Sequence, residues 1–243
     1  MLVEENKTKM KKLKLEGMLV SYETLLDSKI NNDLNIDETL AHLIDAEMDE
    51  RFCRKTTRLI KSAKFRYTAD IEHIKYSKNK NISKTTISRL AECRWIDKGE
   101  NIVITGATGV GKSYLACALG YQACSKEYKV KYKNTLKLFS ELKMAQADYS
   151  VIKIINQLKK QDVLIFDDFG LKPLDGETRL LLLELLEDRY DRASCIFVSQ
   201  IPTTHWHKLI GDKTIADAIC DRVLHNSHNI KMEGDSARKK LKI

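Results

Sequence analysis

The sequence predicts an α/β chain: a parallel sheet flanked by helices, preceded by a small all-α N-terminal domain. Three observations predict it. Ile102-Val103-Ile104-Thr105 runs into a glycine-rich turn that opens a helix near Tyr114. Val163-Leu164-Ile165-Phe166 and the stretch Ser194–Ser199 are continuous apolar runs, as expected of strands covered on both faces. Upstream no proline interrupts the helical spacing, since the two prolines are Pro173 and Pro202.

In chain order, Leu15, Met18, Leu19, Tyr22, Leu25 and Leu26 follow amphipathic helical spacing. After a turn at 31–35, Asp37 is the expected N-cap of a helix carrying Leu40, Leu43 and Ile44. That helix turns basic: Arg51, Arg54, Lys55, Arg58 and Lys61 form one stripe, with Phe52, Leu59, Ile60, Ala63 and Tyr67 opposite. Residues 51–89 hold twelve lysines and arginines against Asp70 and Glu72, a net of +10, which exceeds the whole chain's +8. Clustered charge without opposing carboxylates is the footprint of a nucleic-acid surface, so the stripe is a candidate for duplex DNA phosphates. A polar, lysine-rich loop is expected over 76–84 and a short helix over Thr85–Ile96. Lys98-Gly99 then marks the expected boundary between a helical DNA-binding and oligomerisation domain, 1–98, and a nucleotide domain, 99–243.

Gly106, Ala107, Thr108, Gly109, Val110, Gly111, Lys112 and Ser113 fit the phosphate-binding pattern G-x-x-x-x-G-K-[ST]. Its glycines let backbone N–H groups turn toward phosphate oxygens, and the helix beginning near Tyr114 aims its positive end at the same anion. Lys112 can reach the β- and γ-phosphates of ATP, and the Ser113 hydroxyl can ligate Mg²⁺. Further strands and helices are expected at Val130–Tyr132, Leu136–Ala147, Val151–Lys160, Glu177–Asp191, Thr203–Leu209 and Thr214–Leu224. Asp167 and Asp168 close the second apolar strand, where open α/β sheets bind ligands. Asp167 is the candidate Mg²⁺ holder and Asp168 the candidate polariser of an attacking water. Gln200 ends the next strand, beside the expected γ-phosphate, and Arg222 and Arg238 are further candidates to touch nucleotide.

The remaining chemistry is excluded more simply. No apolar run approaches the roughly 18 residues of a membrane span, so no membrane partner is expected. Met1–Lys14 is charged throughout and lacks a signal core, so a cytoplasmic protein is expected. The six cysteines form no C-x-x-C pair and are expected as reduced, buried thiols. His205-x-His207 and His225-x-x-His228 lack Cys or acidic companions, which argues against zinc.

Taken together, the motifs resemble the AAA+ ATPases of the initiator and helicase-loader branch, and within it the IstB-like transposition helpers, related to DnaC-type loaders. The resemblance runs over nearly the whole chain, through residues 12–18, 106–120, 165–171, 186–190, 199–202, 217–222 and 234–239. It implies ATP and Mg²⁺ as cofactors, a homo-oligomer with ATP at subunit interfaces, and a transposase partner; the alternative is loading of a replicative helicase. It implies that Gln200 is sensor 1, that Arg222 is an arginine finger serving the neighbouring subunit, and that Arg238 is a sensor-2-like arginine. Asp168 departs from the glutamate most AAA+ proteins place after the Walker B aspartate, and its shorter reach implies slow hydrolysis.

Overall fold

The computed structural model describes residues 1–27, 34–74, 76, 82–147 and 149–234. It divides into two compact units, Met1–Arg58 and Leu59–Ile243.

The first unit is helical. Helix α1, Leu2–Lys12, has no apolar stripe and buries no residue; Glu4 and Glu5 in its first turn and Lys9, Lys11 and Lys12 in its last complement the helix dipole. Helix α2 spans Glu16–Asp27 and helix α3 spans Ile36–Ala63, continuing into the second unit. The cap of α3 is Asn35 rather than the expected Asp37. The Asn35 side chain accepts from the Glu38 N–H at 2.9 Å, and the Glu38 carboxylate accepts from the Asn35 N–H at 2.8 Å. This reciprocal pair is a capping box, which leaves Asp37 inside the first turn. Glu47 of α3 is buried; its carboxylate accepts from the Gly17 and Met18 N–H groups at 2.9 and 3.2 Å and from Arg51 at 2.7 Å.

The second unit begins where α3 ends. Lys64 takes a left-handed backbone (φ 57°) and stops the helix, so Tyr67, expected on the same helix, lies in an irregular strap. Helix α4, Lys84–Ala91, starts at an Ser83 cap that accepts from the Thr86 N–H. Cys93 (φ 62°) separates α4 from the short α5, Arg94–Asp97, splitting the single helix expected over 85–96. Ala63, Ala69, Ile87, Leu90, Trp95 and Ile96 all join the core of the second unit. The expected boundary at residue 98 therefore falls inside this unit, because the apolar residues of 59–96 are buried against the sheet rather than with the N-terminal helices. Much of the expected loop over 76–84 lies outside the described residues.

The sheet is built from β1 (Asn101–Gly106), β2 (Val130–Asn134), β3 (Val163–Phe169), β4 (Ser194–Ser199) and β5 (Ser227–Met232). All its pairs are parallel, in the order β2-β3-β4-β1-β5. The connecting helices are α6 (Lys112–Ser125), α7 (Thr135–Ala147), α8 (Val151–Lys159), α9 (Gly176–Arg189), α10 (Trp206–Ile210) and α11 (Lys213–Leu224), with a 3₁₀ turn at Thr203–His205. Strand side chains alternate between two cores. Ile102, Ile104, Val163, Ile165, Ile196 and Val198 face α6 and the 59–97 segment. Val103, Leu164, Phe166, Cys195 and Phe197 face α7 to α11. Pro202 and the 3₁₀ turn shorten the helix expected over 203–209. All six cysteines are free and five are buried; Cys53, on the outer surface of α3, is exposed, contrary to expectation.

Trp206 is fully buried, 4.6 Å from the Phe169 ring and 5.9 Å from the Phe197 ring, and its indole N–H donates to the Ile201 carbonyl at 3.2 Å. Trp206→Ala should cost about 3–5 kcal/mol, read as a lower midpoint in urea unfolding. A second expectation concerns pH. Burial opposes the Glu47 charge, but Arg51 and the α2 amides hold its carboxyl below the ordinary range. A depressed carboxyl stabilises the fold above its ordinary pKa of about 4.3 and loses that contribution as pH falls through the folded value. Acid melts of helical circular dichroism should therefore show a loss below about pH 4 that Glu47→Gln blunts.

Candidate nucleotide site

The C-terminal ends of β1, β3 and β4 meet at one edge of the sheet. Gly106 ends β1, and a Cβ there would sit 2.1 Å from the Met232 carbonyl oxygen, so only glycine fits between β1 and β5. Gly109 and Gly111 follow with positive φ, and α6 starts at Lys112 with Gly111 as its cap. The Lys112 ammonium donates to the Ala107 carbonyl at 2.7 Å, curling the loop around its own lysine. The Thr108 hydroxyl donates to the Gln200 side-chain oxygen at 2.5 Å, which joins the end of β4 to the phosphate loop.

Asp167 is fully buried. Its carboxylate accepts from the Ser113 hydroxyl at 2.8 Å and from the Tyr132 phenol, while its carbonyl accepts from Thr135 at 2.8 Å. Burial, reinforced by the Asp167 carboxylate, pushes the Tyr132 phenol far above its ordinary pKa, so Tyr132 is a fixed donor. Consecutive strand residues normally point to opposite faces. Here Phe166 pairs with Phe197 but Phe169 pairs with Ser199, so two aspartates oppose one residue of β4. This β-bulge, with Asp168 at φ 58°, turns both carboxylates to the same side. The Asn134 amide donates to Asp168 at 2.9 Å, and one Arg66 nitrogen lies 3.4 Å from both carboxylates.

The structure thus brings Lys112, Ser113, Asp167, Asp168 and Gln200 together. Tyr114 stands beside them, its phenol oxygen accepting from the Asp70 N–H at 3.3 Å. Arg222 is elsewhere. Its carbonyl accepts from the Asn101 amide at 3.0 Å, at the N-terminal end of β1, about one strand length (~20 Å) from the phosphate loop. Its guanidinium pairs with Glu187 of α9 and donates to the Ala218 carbonyl. Arg238 lies outside the described residues. The basic stripe is partly neutralised: Arg51 pairs with Glu47 at 2.7 Å, and Arg54 with Glu50 at 3.3 Å and Glu16 at 3.7 Å. Among the described residues no ion pair involves Arg58 or Lys61. His207 and His228 are taken up by Asp217 and Glu100.

Tyr132, Asn134, Thr135 and Arg66 escaped the sequence reading. The β2 residues could have been suspected from their register, since Asn134 pairs with Asp167 across the sheet. Arg66 has no sequence signal beyond its charge. The donor set fits a hard cation with a triphosphate: a hydroxyl and a buried carboxylate 2.8 Å apart, next to a lysine inside a glycine cradle.

Residues 8–243 match the sequence profile of a family described as IstB-like ATP binding protein. The chain is 38% identical over 239 residues to the putative insertion sequence ATP-binding protein y4pL of Sinorhizobium fredii, covering 98% of each chain. It is 30% identical over 231 residues to the insertion sequence IS21 putative ATP-binding protein of Pseudomonas aeruginosa, covering 95% of this chain and 87% of that one. Among solved structures, the DnaC helicase loader superposes with a TM-score of 0.59 at 18% identity, over 69% of this chain and 98% of that one. That likeness is one of fold, and the fold is the AAA+ fold the sequence resemblance implied.

Tyr132→Phe keeps the ring but removes a donor from the buried carboxylate, and should lower stability by about 1–3 kcal/mol in urea unfolding.

Proposed function

The chain belongs to the IstB-like ATP-binding family, and on that premise we propose that it is a Mg²⁺-dependent ATPase that assembles on duplex DNA and serves a transposase. The observation that carries the nucleotide reading is the Ser113–Asp167 hydrogen bond at 2.8 Å beneath the loop that holds Lys112. Lys112 and the loop amides bind the phosphates. Ser113 and Asp167 are the residues that would hold Mg²⁺, which supplies positive charge against the charge developing on the phosphoryl group. The fixed donors Tyr132 and Thr135 keep Asp167 oriented. Asp168, turned inward by the bulge, is positioned to accept the proton of an attacking water, with Asn134 orienting the carboxylate. Gln200, held by Thr108, senses the γ-phosphate.

Arg222 sits at the opposite end of β1 from the phosphate loop of its own chain, so a nucleotide role for it would have to be in a neighbouring subunit's site. An arginine supplied in trans contributes about 10³–10⁵ in rate. ATP between two subunits would then couple occupancy to assembly. For DNA, Arg58 and Lys61 are the stronger phosphate contacts of the stripe Arg51, Arg54, Lys55, Arg58 and Lys61, since Arg51 and Arg54 already face carboxylates. The names of the insertion-sequence relatives favour a transposase as partner over a replicative helicase, because the likeness to the DnaC loader is confined to fold. The unit Met1–Arg58 with the rest of α3 is the proposed DNA-binding and oligomerisation part, and the cytoplasm is the proposed location.

Lys112→Ala should abolish ATP binding, and Arg222→Ala should bind ATP yet lose hydrolysis and ATP-dependent assembly together. Mixing the two should restore part of the hydrolysis, because an intact loop then faces an intact arginine. Normal turnover and assembly by Arg222→Ala would refute the shared site. On DNA, Arg58→Glu with Lys61→Glu should lower the log–log salt slope by about 2 units across all sequences. An unchanged slope would assign the stripe to solvent.

A further inference from the structure

Arg66 is the least expected member of the site. It is contributed by the strap after α3, not by the sheet edge, and its side chain is 41% exposed, beside the fully buried Asp167. One of its nitrogens lies 3.4 Å from an oxygen of each aspartate. A buried carboxylate needs a compensating cation, and two carboxylates turned to one side need it more. The Ser113 and Tyr132 hydroxyls satisfy hydrogen bonds but carry no charge. Arg66 carries one, in the space between the two groups assigned above to Mg²⁺ and to the attacking water.

The strap that carries Arg66 is itself built against the nucleotide helix. Lys64 turns the chain out of α3. Phe65 stacks on Tyr121 of α6 with ring centroids 4.6 Å apart. It lies so close that a Cβ at Gly120 would meet its ring at 2.5 Å. Asp70 donates its N–H to Tyr114, the residue after Ser113. The strap therefore touches the helix that follows the phosphate loop at two points and the aspartate pair at a third.

We propose that Arg66 is a built-in counter-ion for the Asp167–Asp168 pair, that it withdraws when Mg²⁺ and nucleotide enter, and that the strap 64–74 moves with it. This rests on the reading of Ser113 and Asp167 as the Mg²⁺ holders. A guanidinium and a divalent cation compete for the same oxygens, so the protein gives up one ion pair each time it loads. Because the strap is the direct continuation of α3, the loading step is transmitted to the end of the helix that bears the basic stripe.

The test is nucleotide binding without turnover. A fluorescent ADP analogue and a non-hydrolysable ATP analogue are titrated against the full-length wild type, Arg66→Ala and Arg66→Lys over a range of Mg²⁺. Arg66→Ala should lower the Mg²⁺ concentration for half-saturation about tenfold, with Arg66→Lys close to wild type. An unchanged Mg²⁺ requirement overturns the inference while leaving the site reading intact. A loss confined to the ATP analogue also overturns it, making Arg66 a γ-phosphate ligand instead. Failure of the wild type to bind either analogue at any Mg²⁺ overturns the site reading and this inference together. Hydrogen exchange on the wild type needs no variant: amides of 64–74 should exchange faster with Mg²⁺ and ADP than without, and unchanged or slower exchange counts against withdrawal.

Discussion

The burial of one carboxylate constrains the centre of this molecule. Asp167 is fully buried near the C-terminal end of β3, and an ionised carboxylate there is costly unless its oxygens are matched by donors and charge. The matching comes from four places in the chain: Ser113 at the start of α6, Tyr132 on β2, Arg66 on the strap, and the backbone of Asp168 itself at 3.0 Å. Each partner belongs to a different element, so the position of one acid locks the relative placement of helix, strand and strap. The bulge in β3 follows from the same requirement, since a regular strand would send Asp168 to the opposite core.

The sheet has no polar face to spare. With β1, β3 and β4 covered on both sides, the polar chemistry must collect at the strand ends, and the two ends are used differently. At the N-terminal edge the buried Arg189 donates to the carbonyls of Leu158, Gln161, Asp162 and Ser194, closing that edge with hydrogen bonds to backbone. At the C-terminal edge the groups carry charge and face an opening. Arg222 sits on the first edge while the phosphate loop forms the second, so the proposed shared site would require subunits to meet head to tail.

The basic segment divides in a similar way. Its charge is continuous in the sequence, but its members are not equivalent in three dimensions. Arg51 braces Glu47, which in turn caps α2, and Arg54 bridges to Glu16 and Glu50. Those arginines help hold the helical unit together. Arg66, counted with the same run by composition, faces two carboxylates a hundred residues away in the chain.

By itself the sequence determined what local rules govern. A glycine-rich turn after four strand formers has few alternatives to a phosphate loop, and apolar runs at 163–166 and 194–199 have few alternatives to buried strands. The helix at 177–191 and the two aspartates following the apolar run of β3 were legible for the same reason. Where local patterning is weak, the reading failed. Helix α1 has no buried face, and β5 alternates polar residues with Ile230 and Met232 at the sheet edge, so neither has a run to detect. Tertiary structure alone decided that Ala63, Ala69, Ile87, Leu90, Trp95 and Ile96 pack on the sheet and that Arg222 stands a strand length from its own phosphate loop. It also decided that Asp167 and Asp168 face one way and that Arg66 lies between them. These are relations between residues distant in the chain, set by which apolar faces must be buried together and which charges must be matched once they are.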